Sequence, residues 1–374
     1  MRPIKYLLIV FLTYLIQACR EKKNSPLASS LVIEDSIHLP LRFKPSYKYI
    51  NAAKIHDREY IWVAEPLTDK KIYFFDTQGK PVDTIHLDRI MNILGGYNEN
   101  LTLEPGQTIL YTPKQIIFLD NESKDVLKIF NVDSLFGKQN DVYMFSHKLL
   151  KNFNKPSTSF LLINLWWRKF KQRKVLDGEY YKIQHTKPIF VILDKKTGKI
   201  IKRYAVLTWF NPEPYNAFHT FDMKVCNDGN IAVFTRFSDT IYFLDTIHFN
   251  LSRKLPVKSN RVSTKAPMLP VDYDKPITYH LGVHGGIINL FYSPSKKLYY
   301  VIVADDLEDL KLKNREKQDF AIMVYDTLFR KKQEYIVNAS EYEMFHTFVT
   351  DKGLWLMKNN KNYDKKGIYL HLVH

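Results

Sequence analysis

The sequence predicts an all-β protein, a β-propeller of six four-stranded blades, and three observations carry that expectation. Tyr and Phe number 24 each in 374 residues, and with Ile and Val they favour pleated, half-buried surfaces over helices. A unit of apolar strand, aspartate, polar turn and second strand recurs along the chain. The chain also ends in a three-stranded remnant of such a unit, while a strand near its start belongs to no unit at all.

The unit reads IYFFDTQGKPVDTIHL at Ile72–Leu87, IIFLDNESKDVLKIF at Ile116–Phe130 and IFVILDKKTGKIIKRY at Ile189–Tyr204. It returns as IYFLDTIHFNLSRKL at Ile241–Leu255 and IMVYDTLFRKKQEYI at Ile322–Ile336. Its aspartates are Asp76, Asp120, Asp194, Asp245 and Asp326. An aspartate there accepts a hydrogen bond from a backbone amide two residues on and so starts the turn. Further strand-like runs precede the hairpins at Tyr60–Ala64, Thr108–Thr112, Phe160–Trp167, Ile231–Arg236 and Leu298–Ala304.

The aspartates fall 44, 74, 51 and 81 residues apart, against about 40–50 for one blade. The two long intervals contain polar insertions, Trp166–Gln184 and Asp305–Asp319, so each hairpin counts as one blade. Phe345–His374 supplies the sixth unit with three strands, and Leu31–Leu41 is the alternating orphan. Pairing the orphan with the last unit closes the ring and covers both free edges. Residues 31–374 then form one domain. A pair of β-sandwiches is the alternative, and it leaves the period a coincidence.

Residues 1–19 read MRPIKYLLIVFLTYLIQAC. Arg2 and Lys5 precede an uncharged run, Tyr6–Ile16, that is too short to cross a bilayer needing roughly 20 residues. Ile16-Gln17-Ala18-Cys19 resembles a bacterial lipobox, with an aliphatic residue at −3, a small one at −1 and cysteine at +1. The resemblance implies that residues 1–18 are a signal peptide and that Cys19 is diacylated and becomes the new amino terminus. The protein is then held at the cell envelope, on the outer membrane, with residues 19–30 as lipidated cysteine and flexible tether. An ordinary cleaved signal is the alternative, disfavoured because Ile16 is not the small residue such a site wants at −3. Cys226 would be a lone buried thiol, and two cysteines exclude a disulfide scaffold or a cysteine-rich zinc module.

Leu94-Gly95-Gly96-Tyr97-Asn98-Glu99, followed by Ile116–Phe130, is similar to a G-x-G-P-x-E-like element and the hairpin after it in Bacteroidota lipoproteins. These form a six-bladed propeller family defined as a domain of unknown function. With the lipobox and the repeats, the resemblance covers most of residues 30–374. It implies architecture and location and supplies no catalytic residues. An acidic cluster after the cysteine resembles a surface-export signal in that phylum, but here only Glu21 is acidic and Lys22-Lys23 follow.

The net charge is +16, from 55 basic and 39 acidic residues. Such an excess suits an anionic partner, lipid headgroups or acidic glycan, although Lys, Asn, Ile and Tyr are all plentiful, as compositional bias alone would give. Nucleic acid is not expected in the envelope.

Two groups of residues are candidates for chemistry. His147, His219, His284 (or His280) and His346 stand early in successive units, two of them in an identical Phe-His-Thr-Phe at 218–221 and 345–348. First strands line a propeller channel, so these imidazoles could converge on a divalent metal or an anion; the alternative is hydrogen bonding between blades. Trp166, Trp167 and Arg168 open a run of aromatic and basic residues to Lys174. Such a run can stack on sugars, grip acidic polymer or lie among headgroups, or else bury its Trp pair against the third blade. No P-loop, G-x-S-x-G, H-E-x-x-H or C-x-x-C occurs. The expected function is therefore a monomeric, membrane-anchored binding module for a glycan or protein partner, without enzymatic activity or cofactor. The alternative is a glycan or lactone hydrolase or lyase using the histidines and a metal at the channel.

Overall fold

The structure is a computed structural model of the chain. It describes residues 31–41, 50–55, 58–65, 70–87, 100–104, 106–112, 114–137, 142–151, 159–167, 190–204, 221–226, 230–235, 239–245, 250–259, 285–305, 318–359 and 367–373. These form six antiparallel four-stranded sheets. Four consecutive strands make each of five sheets, from the innermost strand outward. The first comprises β2 (Ile50–Ile55), β3 (Arg58–Glu65), β4 (Lys71–Phe75) and β5 (Pro81–His86). The second comprises β6 (Asn100–Glu104), β7 (Gln107–Tyr111), β8 (Gln115–Asp120) and β9 (Val126–Asn131). Next come β10 (Val142–Lys151), β11 (Ser159–Trp167), β12 (Phe190–Asp194) and β13 (Ile200–Tyr204). They are followed by β14 (Phe221–Val225), β15 (Asn230–Thr235), β16 (Thr240–Asp245) and β17 (Leu251–Pro256). The fifth holds β18 (Gly286–Ser293), β19 (Leu298–Ala304), β20 (Phe320–Asp326) and β21 (Lys331–Val337).

The last sheet is different. It runs β22 (Tyr342–Thr350), β23 (Gly353–Lys358), β24 (Ile368–Val373) and then β1 (Ile33–Leu39) from the opposite end of the chain. β1 pairs with β24 from Ile33↔Val373 to Leu39↔Ile368. The innermost strands β2, β6, β10, β14, β18 and β22 each touch the next, and β22 touches β2. The fold is a β-propeller closed by its first strand.

Why these strands read as nearly continuous apolar runs is clear from the core. Each sheet is covered on both faces by its neighbours, so both sets of alternating side chains are buried. One cluster joins Phe234, Phe243 and Leu255 of the fourth sheet to Tyr299, Val301 and Met323 of the fifth. Another joins Leu39, Trp355 and Leu370 of the last sheet to Ile61, Val63 and Phe75 of the first. β20 is buried at every position from Phe320 to Tyr325.

Asp76, Asp120 and Asp326 do what the repeat implied and take the amide two residues on, while Asp194 and Asp245 take amides three and five residues on. Asp76 Oδ1 accepts from the amides of Gln78 and Lys80, both at 2.9 Å. Asp120 Oδ1 accepts from Glu122 and Ser123 at 2.9 and 2.8 Å. The Asp194 carboxylate takes the Thr197 amide at 2.6 Å and its hydroxyl at 2.8 Å. Asp245 takes the Asn250 amide at 3.0 Å. Asp326 Oδ1 takes those of Leu328 and Arg330, both at 2.9 Å, and its Oδ2 the Arg330 Nε at 2.7 Å.

Each such turn also lies on the outermost strand of the preceding sheet wherever both are described. In the turn after β4, Gly79 has φ +85°, and a Cβ there would stand 2.6 Å from the His38 carbonyl oxygen of β1. In the next, Lys124 Nζ stands 3.4 Å from Asp83 of β5. Lys128 of β9 donates to the Lys195 carbonyl at 2.8 Å. Phe329 stacks on Phe243 at 4.6 Å beneath Arg253 of β17. The turns therefore shape their own hairpin and dock it to its neighbour.

Two features depart from the sequence expectation. A five-residue helix, α1 (Val132–Phe136), follows β9, where the composition suggested only strands. Trp166 and Trp167 belong to β11 and pair with Tyr143 and Val142 of β10, so the insertion begins only after them. The other insertion is pinned at its base, where the Asp305 amide donates to the Asp319 carbonyl at 2.9 Å; residues 306–317 lie outside the described residues.

Antiparallel topology gives the ring two unlike ends. Connections from first to second and from third to fourth strands share one end, here the turn end, and the longest there is 152–158. Connections from second to third strands and between sheets share the other, the loop end, which carries 168–189, 205–220, 257–285 and 305–319. β1 begins at the turn end, where β24 finishes.

Deleting residues 31–41 should lower the melting temperature or cause aggregation, because it strips the edge of β24, whereas deleting 20–30 should leave melting unchanged. Equal melting of the two truncations would contradict closure by β1. A second expectation concerns acid. The Arg330 amide, before the other donors, holds the Asp326 carboxyl down to about 2. A depressed carboxylate stabilises the fold above its unfolded value of about 3.9, and that contribution is lost as pH falls through the folded value. Asp326→Asn should thus be less stable than wild type at pH 5, with the gap closing towards pH 2 in urea titrations.

Candidate functional site

The loop end of the inner strands holds the most unusual geometry. In β22, Glu343 pairs with Met357 and Thr347 pairs with Leu356, so Met344, Phe345 and His346 have no opposite number on β23. Residues three apart on a regular strand point to opposite faces. The bulge cancels that rule and sets His346 Nδ1 3.9 Å from Glu343 Oε2, with side-chain exposures of only 4% and 3%. The Thr347 side chain is buried beside them. Smaller shifts fall at Phe145 in β10 and Ile288 in β18, again near the strand start. Bulges re-aim side chains and collect beside functional sites.

A carboxylate and an imidazole this deeply buried are costly unless each compensates the other. At 3.9 Å the pair is longer than a direct hydrogen bond. It can present both groups to a third atom. Nearby, the Tyr342 hydroxyl and His371 Nδ1 lie 2.9 Å apart across the sheet. Burial, and then the Lys358 charge, lowers the His371 pKa. The Trp355 indole donates to the Thr350 hydroxyl at 2.8 Å.

Of the residues singled out in the sequence, His346 lies at this bulge. His147 is on β10, opposite Ile163 of β11. β10 and β22 are half a turn apart in the ring of inner strands, so the two histidines stand on strands that face each other and are not neighbours. Trp166 and Trp167 close β11 at the loop end. His219, His280, His284 and Arg168 lie outside the described residues, as does the Leu94–Glu99 element. Among the described residues no three His, Cys, Asp or Glu side chains gather as metal ligands. Glu343 was missed in the sequence: its partnership with His346 depends on a register shift that residue spacing does not encode.

No family profile matches the chain, and no curated protein matches it. Solved structures are similar in fold. One is a member of the DUF4221 family from Bacteroides vulgatus, with TM-score 0.67 and 15% identity over 92% of this chain and 98% of that one. Another, from Bacteroides fragilis and described as exported, has TM-score 0.51 and 12% identity over 94% of this chain and 97% of that one.

If Glu343 and His346 act as one unit, Glu343→Ala and His346→Ala should each cost about 2–4 kcal/mol, because each removes one side of a buried polar contact. The double variant should cost less than the sum by at least about 1 kcal/mol. Additive losses in chemical denaturation would show that the two groups are independent. Similarity at these identities shows one thing about the chain: it has the propeller fold of these Bacteroides proteins.

Proposed function

We propose that the protein is an envelope-anchored binding module that presents the loop end of its propeller to an acidic glycan. One observation carries this reading: the long connections, the bulged inner strands and the buried Glu343–His346 pair all fall at one end, while the other end is closed by short turns. Binding residues concentrate on connections that a rigid scaffold positions. The connection after β11 is rich in cations and follows Trp166 and Trp167 directly, a composition that can stack on sugar rings and neutralise carboxylates. The lipobox-like Ile16–Cys19 supports anchoring, and similarity to a Bacteroides protein described as exported accords with the envelope.

Retention on immobilised polygalacturonate tests the binding. Wild type should be retained in a salt-sensitive manner, and Trp166→Ala/Trp167→Ala should weaken binding at least about tenfold, or 1.4 kcal/mol, with unchanged melting. Equal retention of variant and wild type would remove the glycan reading. Labelling with a fatty-acid analogue tests the anchor separately, and label undiminished in Cys19→Ser would refute it.

A further inference from the structure

Large aliphatic side chains are exposed at seven described positions: Val32 (57%), Ile33 (51%), Val82 (51%), Val126 (37%), Leu127 (57%), Ile201 (50%) and Leu328 (69%). They share one kind of place in the fold. Val32 and Ile33 lead into β1, Val82 is the second residue of β5, Val126 and Leu127 open β9, and Ile201 is the second residue of β13. Leu328 sits in the turn between β20 and β21. Every one is therefore at the turn-end start of an outermost strand or in the turn that leads into it.

The exposure of outer strands alone does not account for this. The far ends of the same class of strand are buried, as at Leu39, Ile85, Leu255 and Val337. The pattern is a rim of aliphatic points, contributed by five of the six sheets, around one end of the ring. Charged residues of both signs adjoin these points in the chain: Lys80 and Asp83 flank Val82, Asp125 and Lys128 flank Val126 and Leu127, Lys199 and Lys202 flank Ile201, Glu34 and Asp35 follow Ile33, and Arg330, paired with Asp326, follows Leu328. Spaced points on separate sheets do not make one apolar patch for a compact partner. A plane meets them all together.

We propose that this rim seats the protein on a bilayer bearing anionic headgroups, with the aliphatic side chains entering the interface and the neighbouring cations meeting the headgroups. Aliphatic side chains set among Lys and Arg are the chemistry of interfacial binding. The path of the chain selects the lipid surface as occupant: β1 starts on the rim, and only Arg20–Ser30 separate Leu31 from Cys19. Such a segment spans at most about 40 Å and as a coil roughly 20 Å, so an acylated Cys19 would hold the rim at high effective concentration against the membrane. The orientation rests on the anchoring proposed above; the rim's affinity for lipid does not.

The test uses the chain from residue 20 onward, which keeps every strand of the closed ring and carries no acyl group. It is sedimented with vesicles of phosphatidylcholine alone or mixed with phosphatidylglycerol. Binding should appear with the anionic vesicles, fall with salt, and weaken at least about tenfold in Leu127→Glu/Leu328→Glu, whose melting should match wild type because both sites are exposed. Trp166→Ala/Trp167→Ala should bind vesicles as wild type does. Absence of binding, or equal binding by the rim variant, overturns the proposal while leaving the fatty-acid labelling of Cys19 as a separate result. Self-association abolished by the rim variant, without vesicle binding, overturns it in favour of a second copy of the chain.

Discussion

The pairing of β1 with β24 is the constraint on which the rest depends. An open series of sheets would leave one face of the first sheet, one face of the last and the edge of β24 in water. By contributing its outer strand to the final sheet, the amino-terminal segment completes that sheet and packs Leu39 among Ile61, Val63 and Phe75 of the first. All six inner strands can then meet in a ring. Polar contacts reinforce the seam: the Asp351 amide donates to Glu59 at 2.8 Å, and Lys54 meets the Asp351 carboxylate at 3.1 Å. The Lys54–Asp351 pair is about half exposed on each side and adds little beside the apolar contact.

Stability is therefore spread between sheets. The same interior that buries Phe243 in the fourth sheet stacks it on Phe329 from the fifth. The turn aspartates act on two scales, fixing a hairpin by local amide bonds and presenting its tip to the next outer strand.

What was legible in the sequence follows from which interactions are local. The hairpins declare themselves because an aspartate, a turn and two apolar strands are contiguous. The closing strand was legible by counting, since Leu31–Leu41 had no unit and the last unit lacked a strand. The short inner strands were harder: β2 reads INAAKI, without alternation, and β6 reads NLTLE, which alternates over only five residues. α1 was invisible because VDSLF is too short for a helical period and its cap position, Asn131, makes no side-chain capping bond. His346 was found through the repeated Phe-His-Thr-Phe, yet its carboxylate neighbour was not. A slip in pairing is decided by the whole sheet and leaves no mark in the spacing of residues.

The place of β1 also has a consequence in time. It is the first strand of the propeller to be synthesised, and its partner Val373 follows Ile33 by 340 residues. At about 5–20 residues per second, the wait lasts some tens of seconds. Throughout it, β1 is an unpaired strand with Ile37 and Leu39 awaiting burial, a species prone to join the wrong edge. Its sequence, IEDSIHL, places Glu34, Asp35 and Ser36 before those apolar residues, as charged gatekeepers flank aggregation-prone segments elsewhere. The acidic start of this strand is the kind of feature that opposes wrong pairing during the interval before the ring can close.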